Sequence, residues 1–225
     1  MKSVFKSSGL FAAALMLASC GSESNTPDLV DQLVATAKST LEQRKNRNAP
    51  QAAAAVTRAQ VEQSTVPLIR LTVGATGSQA TAAELARNGD TATYLMGTGQ
   101  AIYLRGGLMT GTRGLGYDLM ALDMPYRSVA EALKGGSYTR VHRYLDNENK
   151  TLVWSATCSM QITGTKTLTQ LERQYKVRQV VETCQGAEMS FVNTYDLDVR
   201  SKQVWQSRQW VGPVAEHARI EQLKP

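Results

Sequence analysis

Arginine suits the capture of carboxylates and phosphates, because its planar guanidinium presents several donors in a fixed fork. Arg105 and Arg113 stand in the run 101–123, AIYLRGGLMTGTRGLGYDLMALD. Gly106, Gly107, Gly111, Gly114 and Gly116 bracket them, and Tyr117, Asp118 and Asp123 follow. Glycine at that density permits positive φ, bulges and close approach of the backbone to another surface. Two chemistries fit. In one, Arg113 clamps a glycine-rich turn, and Asp118 and Asp123 are the partners of Arg105 or Arg113. In the other, Arg105, Arg113, Tyr117 and Asp118 form a ligand or partner surface for an anionic group on a glycan or lipid. Tyr103, Tyr117 and Tyr126 would then be available to stack on sugar rings.

The usual catalytic constellations do not stand out. The two histidines, His142 and His217, have no partner at metal-ligand spacing and read as surface or strand residues. Neither a metal site nor a cofactor is expected. There is no G-x-S-x-G elbow and no P-loop. Gly97-Thr98-Gly99 and Gly114-Leu115-Gly116 do not extend to G-x-G-x-x-G, so they read as turns. Paired carboxylates stay open, since two acids distant in sequence can meet across a groove.

The elements that must position these residues begin with an address. Lys2 and Lys6 precede an apolar run over 10–17 that is too short to span a bilayer, followed by Leu17-Ala18-Ser19-Cys20. This pattern makes 1–19 a secretory signal whose end resembles the lipobox of bacterial lipoproteins. Cys20 is then acylated and becomes a tether, since several acyl chains together anchor stably where one does not. Gly21 in the second mature position resembles lipoproteins sorted to the outer membrane, which places the chain on its periplasmic face. The formal net charge is +6, and the signal holds two of the lysines and no acid, leaving +4. So mild a surplus, without a dense basic run, argues against nucleic acid as a partner.

Residues 20–25 read as a leash, and 26–63 as a helical segment. Thr26-Pro27-Asp28 starts a helix, and Leu29, Leu33, Ala37 and Leu41 mark its apolar face. A second short helix is expected over 57–63. From residue 64 to 225 the pattern is β. Strands are expected over 66–73, 82–87, 90–96 and 101–105, with Asn88-Gly89 turning a hairpin. Ser128 and Glu131 form a capping box for one inserted helix over 129–134. Strands over 138–145, 151–162, 175–184, 189–199, 204–211 and 216–223 complete a meander. The fold class is mainly β: an antiparallel meander forming an open barrel or β-sandwich, with an N-terminal amphipathic helix and one short inserted helix.

With Cys20 lipidated, Cys158 and Cys184 remain in an oxidising compartment. A hairpin centred on Leu171 sets them opposite one another, and a bond there is worth about 3–4 kcal/mol in the chain-entropy view. The alternative is two free thiols. Cys158 shares parity with Trp154, Ala156 and Met160, whereas Cys184 shares it with Lys176, Arg178 and Glu182, a polar set. A bulge in the second strand would reconcile the faces.

The lipobox, Thr110-Gly111-Thr112-Arg113-Gly114-Leu115-Gly116-Tyr117-Asp118-Leu119, Glu182-Thr183-Cys184, Asn193-Thr194-Tyr195 and Trp205-Gln206-Ser207-Arg208-Gln209-Trp210 occur in that order. Together they resemble the YjbF/GfcB family of lipoproteins, associated with exopolysaccharide and group 4 capsule production in Gram-negative bacteria. Asp196 stands where the resemblance leads us to expect another aromatic, and Tyr94 where it leads us to expect tryptophan. The resemblance implies a process rather than a reaction, and it brings no catalytic residues. It implies a non-enzymatic accessory lipoprotein that meets secretion proteins or the polysaccharide itself. One alternative is a carrier holding a lipid or lipid-linked saccharide in a barrel-like cavity. A second is a carboxylate-dependent polysaccharide-modifying enzyme.

Overall fold

Runs of alternating apolar and polar residues separated by tight turns leave little choice but antiparallel pairing. The computed structural model describes residues 56–146 and 148–225. The signal, Cys20, the leash and the amphipathic face through Leu41 lie outside the described residues. Helix α1 is Arg58–Gln63, with Thr57 accepting from the Gln60 amide and the Gln60 side chain accepting from the Thr57 amide. The strands β1 (Leu68–Val73), β2 (Gln79–Asn88), β3 (Thr91–Met96), β4 (Ala101–Arg105) and β5 (Leu108–Arg113) follow. After β6 (Asp118–Asp123) comes α2, Val129–Ala132, and then β7, Tyr138–Leu145. The chain ends with β8 (Thr151–Gln170), β9 (Arg173–Gln185), β10 (Phe191–Asp198), β11 (Val204–Gly212) and β12 (Glu216–Lys224).

All twelve strands join one antiparallel sheet in the order β5-β4-β3-β2-β1-β12-β11-β10-β9-β8-β7-β6. The two edges of that sheet, β5 and β6, lie beside each other, so the sheet is a nearly closed barrel. No backbone ladder joins them; the Leu119 amide instead donates to Thr112 Oγ1 at 2.9 Å, and that hydroxyl donates to Asp118 at 3.2 Å. This is the seam. Two buried clusters fill the interior. One gathers Tyr138, Val180, Phe191, Tyr195 and Leu197 around α2, whose Val129 and Ala132 are fully buried. The other gathers Ile69, Leu71, Tyr94, Ile102 and Ile220.

Local chemistry explains the turns. Gly106 and Gly107 both take positive φ, 54° and 85°, between the paired residues Arg105 and Leu108, so β4 and β5 join in two residues. The inserted helix is shorter than expected, and its capping box is displaced: Ser128 accepts from the Glu131 amide, but the Glu131 carboxylate reaches the amide of Arg127.

The β8–β9 hairpin departs most from expectation. β8 runs for 20 residues rather than stopping near Ile162, because the threonines at 163, 165, 167 and 169 alternate with half-buried positions through to Gln170. Leu171 and Glu172 make the turn at φ 45° and 67° without a glycine. It is held from outside: Arg58 donates to the carbonyls of Leu171 (2.8 Å) and Gln170 (3.1 Å), and Arg173 pairs with Glu62 at 2.8 Å. Cys158 faces Cys184 and the two are bonded, S–S 2.01 Å. The register irregularity falls between Ile162 and Gly164 in the first strand, not in the second as expected. It is not needed to face the cysteines, because Glu182 is itself an inward residue, buried with Val180 and Cys184.

Replacing Cys158 and Cys184 together by alanine is expected to lower the unfolding free energy by about 3–4 kcal/mol. Urea denaturation of the oxidised parent and the variant measures it, with a reduced parent matching the variant.

Candidate functional site

The glycine-rich stretch builds a groove on the outside of the barrel, at the seam. Ile102 is fully buried and Leu104 packs on the core, so Tyr103 and Arg105 point outward from β4. Across the ladder Tyr103 faces Gly111 and Ala101 faces Arg113. Gly111 is required by proximity: a Cβ there would sit 3.0 Å from the Tyr103 ring and 3.1 Å from the Leu119 carbonyl of β6. The bare backbone lets the tyrosine ring lie over β5. The Arg113 guanidinium stands 5.6 Å from the centre of that ring and donates to the Thr112 carbonyl at 2.6 Å. Arg105, Arg113, Tyr103, Thr91, Thr110 and Met120 line a groove of about 360 Å³.

Neither arginine has a carboxylate within ion-pair distance among the described residues. The Nε of Arg105 is buried without a hydrogen-bond partner. The pairing expected with Asp118 and Asp123 is therefore corrected. Asp123 pairs with Arg143 at 3.0 Å. Asp118 is spent on its own turn, accepting from the Gly114 amide at 2.8 Å, the Leu115 amide at 3.1 Å and the Thr112 hydroxyl. Tyr117 occupies the left-handed position of that turn, φ 47°, and does not line the groove. Of the four residues expected to share a surface, Arg105 and Arg113 meet, while Tyr117 and Asp118 shape the loop beside them.

A second constellation, not anticipated from the sequence, fills the barrel centre. Tyr138, Arg140, His142 and Tyr144 alternate inward along β7. Arg140 Nη1 donates to both oxygens of Glu182, at 2.7 and 2.8 Å, with both side chains fully buried. Tyr138 (2.7 Å), Tyr195 (2.8 Å) and Asn193 (2.7 Å) also donate to that carboxylate. Asn193 accepts in turn from the Trp210 amide at 2.6 Å. Gln209 of β11 bridges the interior to β5, accepting from the Met109 amide and donating to the Gly107 carbonyl, each at 2.9 Å. The signal that would have revealed this set is the alternation Tyr138-x-Arg140-x-His142-x-Tyr144.

Burial pushes the Glu182 carboxyl up, but the Arg140 charge and the phenol and amide donors outweigh it and hold it below its ordinary value. His142 is buried against Arg140, and both facts keep its imidazole well below the usual range, hence neutral. Its Nε2 accepts from Arg140 at 2.9 Å, so the ring proton sits on Nδ1 and is given to the Tyr144 oxygen at 2.7 Å. Cys158, Glu182 and Cys184 come within 4.8 Å of one another, but the sulfurs are bonded to each other and the carboxylate belongs to Arg140. That cluster is no metal centre. The interior network ties strands together and offers no open face to a substrate.

Fold and site together define a nearly closed antiparallel barrel, polar at its filled centre and cationic along its outer seam. Residues 29–223 match the profile described as "Group 4 capsule polysaccharide lipoprotein gfcB, YjbF", and the chain belongs to that family. No curated protein matches it. Among solved structures it is similar to the crystal structure of the hypothetical lipoprotein YmcC from Escherichia coli K12. That likeness has a TM-score of 0.63 at 18% identity and covers 90% of this chain and 98% of that one; at this identity it speaks for the fold alone.

Because His142 is held neutral in the folded state, its unfolded form takes up the proton first, and stability is expected to fall as pH drops below about 6.5. The Glu182 contribution is present above its unfolded pKa, near 4.5, and is lost as pH falls through its lower folded value. Urea midpoints measured from pH 7.5 down to pH 3 should show both declines, and His142→Gln should reduce only the upper one, leaving the smaller part from His217, which burial and Arg208 also hold below its ordinary value.

Proposed function

We propose that this chain is a non-enzymatic accessory lipoprotein of exopolysaccharide or capsule assembly and export. It is anchored through Cys20 to the periplasmic face of the outer membrane, and it acts by contact with secretion proteins or with the glycan. In this reading 1–19 is the signal, 20–25 the leash, 26–63 a helical segment and 64–225 the working β domain. The anchor raises the effective concentration of that domain beside a membrane partner.

The observation that carries the reading is a division of charge. Glu182, a fully buried acid, is sealed in the interior and accepts from Arg140, Tyr138, Asn193 and Tyr195. Arg105 and Arg113, two cations with no acidic partner among the described residues, line one groove on the outside. Such a body meets its partners at its surface. A filled interior is poor support for a lipid carrier, whose ligand would take the place of the two core clusters. A glycosidase-type enzyme would need two facing carboxylates, and the described lining of the seam groove contains none.

Two variants separate anchor from surface. Cys20→Ala should move the protein out of the membrane fraction and lower polymer output while the thermal midpoint stays unchanged. Arg105→Gln with Arg113→Gln should lower output with the membrane fraction intact. Undiminished polymer from the unanchored form would overturn the reading.

A further inference from the structure

The mouth of the barrel holds a second recess, separate from the seam groove. It opens where the β2–β3, β4–β5 and β10–β11 turns converge, and its volume is about 240 Å³. Its lining includes the apolar Ala92, Leu104, Val204 and Ile220 and the polar Tyr94, Ser207 and Gln222. These three polar residues are 3%, 4% and 7% exposed, respectively. Groups so deeply placed normally have their hydrogen bonds spoken for. Here two of them do not. Among the described residues, the Tyr94 hydroxyl accepts one long bond from Gln222, 3.4 Å, and Glu84, its partner across the β2–β3 ladder, is the acceptor beside it. Ser207 Oγ accepts from Gln209 at 2.9 Å and donates to nothing. The Gln222 amide nitrogen is engaged by the carbonyls of Leu68 and Lys224, and its carbonyl oxygen accepts from no one.

One free O–H donor, on Ser207, and one free acceptor, on Gln222, therefore lie with the Tyr94 hydroxyl in a pit lined by both polar and apolar side chains. Charge at the rim is already engaged: Arg87 with Glu84, Asp90 with Arg127, and Lys202 donating to the Val199 carbonyl at 2.6 Å. Burial, with the Glu84 carboxylate beside it, pushes the Tyr94 phenol up, so it keeps its proton at neutral pH. The turn glycines are held in place, since a Cβ on Gly107 would meet the Val204 side chain at 2.3 Å, and Gly106 would meet Ser128.

We infer that this pit binds a single sugar ring, the terminal residue of a saccharide chain. A hydroxyl donor and acceptors beside apolar side chains match a polyhydroxylated ring, which has polar edges and apolar faces. The volume lies below the roughly 300–1,000 Å³ typical of drug-sized ligands, so one ring is the fitting size. Ala92, Tyr94 and Ile220 of the lining belong to a packed core cluster, so a chain enters by its end rather than threading through. The choice of a saccharide over other ring polyols rests on the proposed role in polysaccharide handling.

The test uses the whole chain, labelled for amide NMR and titrated with methyl glycosides of glucose, galactose, mannose, N-acetylglucosamine and glucuronate, then with the matching disaccharides. At least one glycoside should shift the amides of Gly106, Gly107, Gln203 and Ser207, and its disaccharide should bind at the same place. Tyr94→Phe and Ser207→Ala, which keep the packing, should each weaken binding about tenfold with the melting temperature unchanged. No shift from any probe, shifts confined to the seam groove, or a Tyr94→Phe/Ser207→Ala double variant that binds like the parent would overturn the assignment. Shifts from single rings but not from disaccharides would overturn the chain-end reading. Loss of polymer output on removing Cys20, alongside silent titrations, would leave the accessory role standing and reject the pit alone.

Discussion

A carboxylate and a guanidinium withdrawn wholly from water cost several kcal/mol each in desolvation, so they persist only where geometry and further hydrogen bonds offset that cost. Arg140 and Glu182 satisfy this condition through four strands at once. β7 contributes Tyr138 and Arg140, β9 the acid, β10 Asn193 and Tyr195, and Gln209 of β11 touches Tyr195 at 3.5 Å. A slip of one residue in any of these strands would turn its polar group outward and strand a buried charge. The network therefore fixes register, and through register the cross-section of the barrel. The bond between Cys158 and Cys184 pins the same pair of strands beside it.

The same economy separates inside from outside. Around Arg140 and Glu182 the polar groups are committed to one another, with Arg140 Nη2 and Trp210 Nε1 left over. On the outer face the glycines bring Tyr103, Gly111 and β6 close enough that Arg113 rests over an aromatic face rather than an acid. The arginines resemble each other in sequence, but only burial tells which one is structural. Arg140 is locked; Arg105 and Arg113 are open to other use.

Much of the architecture was legible beforehand, because short-range rules decide it. The hairpin read at Asn88-Gly89 is present, with its two turn residues displaced to Gly89, φ 59°, and Asp90 because Asn88 pairs with Thr91, and the run 101–105 became β4 unchanged. The meander of strands from Tyr138 onward was clear from alternation alone. What was not legible depended on partners distant in sequence. Glu182 looked like part of a polar face, yet it points inward because Arg140, more than forty residues earlier, neutralises it. His142 seemed an ordinary strand residue among cations; its imidazole is buried between Arg140 and Tyr144. Asp118 looked like a counter-ion, but its nearest donors were the amides of its own loop. The second half of β8 was missed because its threonines alternate with no strongly apolar face, whereas the ladder continues past the irregularity between Ile162 and Gly164.

The clasp between α1 and the tip of the β8–β9 hairpin has a mechanical consequence. Arg58 and Glu62 grip Gln170, Leu171 and Arg173 at the far end of the longest hairpin in the molecule. A pull arriving from the amino-terminal side therefore meets a lever before it meets the barrel wall. Load would be delivered as shear along β8 and β9, whose many parallel hydrogen bonds share it, instead of peeling β1 from its neighbours one bond at a time.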